Sequence, residues 1–224
     1  MRQTPPDEIT ATGPGASRGR NLVAAVAFVV GGSLFALGAA LAQLGVGSLV
    51  SVNVTYLVGG AFFSLGGYVS ILLAPPHQRQ WRSAVILFIG TLLFAVSLVA
   101  AFAEGLTPRQ SNGWIWLPDI SGCVCFLVSG HLAMLEVGAG RVRIRPHVLG
   151  WWVVAVNQLG SILFFLAGLA AFTRPATSRA VDVGLVNWGT FAGAVCFAVG
   201  GLIQAFDTPT STRTVVHTAH DDIP

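Results

Sequence analysis

Lysine is absent from this chain of 224 residues, and from Asn21 to Gln78 there is no Asp, Glu, Lys or Arg at all. Charged residues make up only 9% of the sequence, whereas a soluble domain carries about 25%. That scarcity excludes an ordinary soluble fold. Cysteine is nearly as rare. The three present, Cys123, Cys125 and Cys196, all fall in apolar segments and form no secreted disulfide framework. Cys123 and Cys125 point to nearly opposite sides of a helix and cannot chelate one metal. No phosphate loop, zinc-protease helix or nucleophile elbow occurs. His131 is the sole histidine inside an apolar segment, so a bis-histidine haem has no second ligand. An arginine ladder of the voltage-sensor kind is missing too, and the formal charge of +3 argues topology, not nucleic-acid binding.

What is present is apolar residue, 54% of the chain. An apolar run of about 20 residues spans a bilayer as a helix. Six such runs predict an all-α integral membrane protein with helices over 21–43, 53–74, 83–103, 116–136, 148–172 and 187–206. The first run is longer than the roughly 7–15 apolar residues of a signal peptide, so it reads as a retained helix despite the small-residue stretch at Ala40–Ala42. Residues 1–20 read as a disordered arm and 207–224 as a flexible tail, because neither has an apolar period. His217, His220, Asp221 and Asp222 in that tail are a weak metal-binding pattern at most.

Each segment carries the same stripe. Gly31/Phe35/Gly38, Gly59/Phe63/Gly67, Gly90/Phe94/Ser97, Gly122/Phe126/Gly130, Gly160/Phe164/Gly168 and Gly193/Phe197/Gly201 recur at spacings that share one helix face. Small residues let helix backbones approach closely in lipid, and the phenylalanine fills the space between them. The stripes predict helix packing through Gly31, Phe35, Gly59, Phe63, Gly122, Phe126, Gly160, Phe164, Gly193 and Phe197. They are silent on whether the packed partner is another part of this chain, a second copy or a different membrane protein. Six helices place both termini on one side. That side holds nine of the arginines and the other side three. The positive-inside rule then predicts cytoplasmic termini in the inner (plasma) membrane. Trp81, Trp151 and Trp152 mark one interface and Trp114, Trp116 and Trp188 the other.

The second and sixth segments match at identical spacing, Asn53/Gly59/Phe63/Gly66-Gly67 against Asn187/Gly193/Phe197/Gly200-Gly201. This predicts three successive two-helix hairpins, 21–74, 83–136 and 148–206, related by rotation about the membrane normal. A second match joins segments of opposite direction, Asp119/Gly122/Phe126/Gly130 and Asn157/Gly160/Phe164/Gly168, and does not support that arrangement. Over 148–206, Asn187-Trp-Gly-Thr190 with its Gly/Phe/Gly-Gly sequel, and Asn157-Gln-Leu-Gly160 with Phe164, resemble YrhK-type small bacterial membrane proteins. The resemblance implies a helical hairpin with a Gly/Phe/Gly signature in each helix, and no activity.

The polar residues inside the apolar segments are the functional candidates. His131, about five residues or roughly 7 Å from its helix end, and Asn157, about nine residues or roughly 14 Å in from the same side, are close enough to meet. Gln158, Ser129 and Ser161 lie nearby in sequence. Together they form either a polar pocket open to the cytoplasm, with His131 as proton acceptor or ligand contact, or a hydrogen-bonded glue between helices. Asp119, directly after Pro118, reads as an acid at a helix N-terminus, within reach of Arg109, Arg174 or Arg179. Glu104 and Glu136 read as water-facing helix ends. No acid, base and nucleophile assemble, and no cofactor is implied. The leading expectation is a non-enzymatic accessory or scaffolding membrane protein. The alternative is a small permease or a lipid- or small-molecule-binding protein with its site near His131 and Asn157.

Overall fold

The computed structural model describes residues 14–207. The arm before Pro14, the tail after Asp207 and the histidines and aspartates of that tail lie outside the described residues. Helix α1 runs over Pro14–Leu44, α2 over Leu49–Leu73 and α3 over Arg79–Ala100. Helix α4 covers Pro108–Val137, α5 Leu149–Ala170 and α6 Val183–Phe206. All six are long and apolar enough to cross a bilayer. Two short antiparallel strands, β1 (Thr173–Arg174) and β2 (Arg179–Ala180), fold the connection between α5 and α6.

Five helices start earlier than their apolar runs, and α1 does so by taking in residues 14–20, which the sequence alone assigns to a disordered arm. Ser48 and Asp182 accept hydrogen bonds from the backbone amides of Ser51 and Leu185, so capping starts α2 and α6 ahead of the hydrophobic periodicity. The α3 helix begins at Arg79 straight after the Pro75-Pro76 turn. The largest difference is α4, which begins at Pro108 behind a Thr107/Gln110 capping box. Its next turn, Asn112–Trp116, is a π-helix in which the Leu117 amide reaches Asn112. The wider turn sits just before Pro118, which lacks an N–H and crowds the carbonyl four residues back. The Asn112 side chain is anchored to both backbone groups of Thr173, with both bonds at 2.8 Å.

Each helix packs against its neighbours in chain order and α6 returns to α1, so the six form a closed ring. Neighbours are antiparallel. Asn21 near the start of α1 donates to Gln204 and Asp207 at the end of α6, while Asn187 near the start of α6 donates to Gln43 at the end of α1. The face holding Pro14 and Asp207 is called the terminal face below. Leu22, Val26, Val128, Leu166 and Leu202 are among the many apolar residues exposed around the outside, where lipid rather than water suits them.

The glycine stripes set how closely the helices approach. A Cβ placed on Gly31 falls 3.0 Å from the Gly59 carbonyl oxygen, and Gly122 and Gly90, and Gly193 and Gly160, stand in the same relation at 3.0 Å. The α1–α6 seam is tighter still, with Gly32 facing backbone atoms of Ala194 and Ala198. One stripe phenylalanine from each helix reaches the axis. Phe35, Phe63, Phe94, Phe126, Phe164 and Phe197 interlock with centroid separations of 5.1–6.4 Å, inside the favourable range for aromatic pairs. This plug divides the ring interior into two halves.

Candidate functional site

On the terminal-face side of the plug lies a cavity of about 360 Å³ to which all six helices contribute. Its floor is Phe28, Phe126 and Phe197. Volumes of this size sit at the small-molecule end of the range for ligand pockets. The wall mixes polar residues with Leu73, Leu87 and Val154, and the polar ones arise because the inward face of four helices continues past the plug, in α1 by way of Phe28. Asn21 is seven residues from Phe28, Ser70 seven from Phe63, Asn157 seven from Phe164 and Gln204 seven from Phe197, so each stays on the inward face.

Two hydrogen-bond clusters hold the wall. Ser83 Oγ donates to the Ser129 carbonyl at 2.9 Å and Ser129 Oγ returns a bond to the Ser83 carbonyl at 2.8 Å, joining α3 to α4 reciprocally. Across the α1–α6 seam, Asn21 Nδ2 donates to the carbonyls of Gln204 and Asp207, while Gln204 Nε2 donates to Asn21 Oδ1. Ser161 Oγ bonds the Asn157 carbonyl and Ser70 Oγ the Gly66 carbonyl, in each case one turn back. Asp207 lines the cavity just beyond the last turn of α6, and partial burial pushes its carboxyl above the ordinary aspartate value.

Of the five candidate residues, Asn157, Ser129 and Ser161 line this cavity. His131 does not. It is exposed on the outer surface of α4, since Ser129 and Gly130 occupy the inward positions, and it does not meet Asn157. Gln158 lies behind the wall, packed on Gly130 with its Nε2 3.5 Å from the Leu127 carbonyl. Asn157 packs on Gly200. The side-chain oxygens of both residues are buried without a hydrogen-bond partner. Reading the sequence alone misses Asn21, Gln204 and Asp207 because it places them at helix boundaries, whereas the interior stripe runs through all three.

Asp119 is also placed differently. With α4 starting at Pro108, it sits in the body of the helix and not at a positive N-terminus. Its side chain lies over Gly168 together with Cys123, on the far side of the plug. Among the described residues the one ion pair is Arg79–Glu136 at 3.7 Å, so Asp119 is not paired with Arg109, Arg174 or Arg179. Cys123 Sγ donates to the Phe164 carbonyl at 3.3 Å, and all three cysteines are free thiols. No group of three or more metal-ligating side chains occurs among the described residues.

The arrangement can hold a small molecule between an aromatic floor and a polar wall. Among the described residues, no nucleophile–base pair faces the cavity. Comparison with protein-family models, curated proteins and solved structures finds no match for this chain.

Proposed function

We propose that this protein is a non-enzymatic small-solute permease of the inner (plasma) membrane, with the axial cavity as its binding site and the phenylalanine plug as its barrier. The observation that carries this reading is the cavity itself, lined by polar as well as apolar side chains, on the axis and bounded by all six helices. Polar side chains inside a membrane domain are costly unless they serve a site or hold helices together. Here they do both, because Ser83 and Ser129 join α3 to α4 and also line the cavity. An accessory or scaffolding role gives the cavity no use.

The arginine excess on the terminal face supports placing that face, and the cavity mouth, in the cytoplasm. The same Gly-on-Gly contact in α1/α2, α3/α4 and α5/α6 supports three hairpin repeats around the membrane normal. The likeness to YrhK-type hairpins, and with it a bacterial origin, extends naturally to all three.

Cysteine accessibility in proteoliposomes tests the reading. In a background with Cys123, Cys125 and Cys196 replaced by alanine, Ala133→Cys in the cavity wall should react with a charged methanethiosulfonate reagent applied to the terminal face. Val128→Cys, on the exposed apolar surface, should not react. Lack of reaction at Ala133→Cys, or equal rates at both positions, overturns the proposal.

A further inference from the structure

We propose that the cavity selects a small organic cation bearing N–H donors, an ammonium compound in the first instance. This rests on the permease reading and adds the chemical class of the solute. The polar groups of the wall present mostly acceptors to a solute. The hydroxyl hydrogens of Ser70, Ser83, Ser129 and Ser161 are all committed to backbone carbonyls, which leaves these oxygens able only to accept. Both N–H groups of Asn21 and one of Gln204 are used across the α1–α6 seam. The uncommitted N–H groups are one on Gln204 and those of Gln80 and Asn157, all uncharged.

Charge points the same way. Among the described residues that line the cavity, Asp207 is the one ionisable side chain, and none is an arginine or histidine. Arg141 and Arg143, on the terminal face, are exposed. An anionic solute would meet a carboxylate and a row of lone pairs with no cation to receive it. An ammonium group meets acceptors, a counter-charge and the faces of Phe28, Phe126 and Phe197, which attract cations through their quadrupoles. An ammonium group is carried both by free amines and by ethanolamine lipid headgroups. The wall favours the free amine, because a lipid phosphate would sit beside Asp207.

The test uses the full chain in nanodiscs of phosphatidylglycerol, titrated calorimetrically with 2-phenylethylammonium, 2-phenylethanol and phenylacetate. The ammonium should bind at least about tenfold more tightly than the other two, and Asp207→Asn should weaken it by about tenfold, as loss of a charge-assisted bond implies. Phenylacetate or the alcohol binding as tightly as the ammonium overturns the cation proposal and leaves the cavity reading standing. So does an Asp207→Asn variant with unchanged ammonium affinity. Failure of all three probes to bind removes the cavity reading itself, and the cation proposal with it. Repeating the titration with phosphatidylethanolamine in the nanodisc separates the two sources. An unchanged affinity assigns the site to a free amine, and a competitive loss assigns it to the lipid headgroup, with the ammonium class upheld in both cases.

Discussion

The α1–α6 seam closes the ring, and a single methyl group tests how closely it is fitted. A Cβ added at Gly32 lies 2.7 Å from the Ala194 carbonyl oxygen and 2.8 Å from the Ala198 amide nitrogen. Ordinary contact begins at 3.4 Å, and both obstructing atoms are backbone. No rotamer change relieves the overlap, so α1 and α6 must separate by about 0.7 Å. Gaps of that size forfeit about a quarter to a half of each dispersion contact along the seam, and overpacking of this kind costs about 1–3 kcal/mol. Alanine is a better helix former than glycine by about 1 kcal/mol, so Gly32→Ala should destabilise by up to about 2 kcal/mol net. Gly19, on the same helix, has open space around it, with nothing within 4 Å of where an alanine methyl would stand. There the same substitution should stabilise by up to about 1 kcal/mol. Reversible unfolding in mixed micelles, followed by far-UV circular dichroism, reads both. A Gly32→Ala variant as stable as the Gly19→Ala variant would refute the seam as described.

Ser83→Ala and Ser129→Ala should each destabilise, and their double-mutant cycle should show a coupling of about 0.6–1.7 kcal/mol, measured in the same unfolding assay. Asp207 supplies a pH test. Its raised carboxyl means that the folded chain holds the proton more tightly than the unfolded chain. Its contribution to stability is therefore full below the ordinary aspartate value and is lost as pH rises through the raised value. Melting curves between about pH 4 and 8 should show wild type losing stability relative to Asp207→Asn as pH increases; parallel curves would count against the shift. His131→Ala should leave binding of 2-phenylethylammonium within about twofold of wild type, because His131 faces outward; a larger loss would return it to the site.

Much of this organisation can be read from residue spacing, and the misplacements have specific causes. The six Gly/Phe stripes are legible because close packing in lipid demands small residues at fixed intervals on one helix face, and Phe35 through Phe197 do converge on the axis. Asn157, Ser129 and Ser161 are legible as polar residues near one depth. His131 is misplaced by such a reading because depth along a helix says nothing of its rotation; Ser129 and Gly130 take the inward direction. Carrying the stripe seven residues past Phe63 and Phe197 reaches Ser70 and Gln204, and fourteen residues back from Phe35, through Phe28, reaches Asn21. The capping box at Thr107 and the π turn before Pro118 escape a hydropathy reading, which marks where a helix enters lipid and not where its hydrogen bonding begins.

The central claim is an axial route barred by the phenylalanine plug, and flux through proteoliposomes tests it most directly. Radiolabelled guanidinium is a suitable tracer, since it carries N–H donors and a permanent charge that keeps it out of lipid. Phe197 touches Phe63, Phe126 and Phe164 and also floors the cavity. Phe197→Ala, compared with wild type at equal amounts of monodisperse protein, should therefore raise guanidinium entry well above the wild-type and empty-liposome rates. Entry by folded Phe197→Ala that stays at the empty-liposome rate would contradict the account, and the cavity would then be a closed feature of the ring with no path behind it.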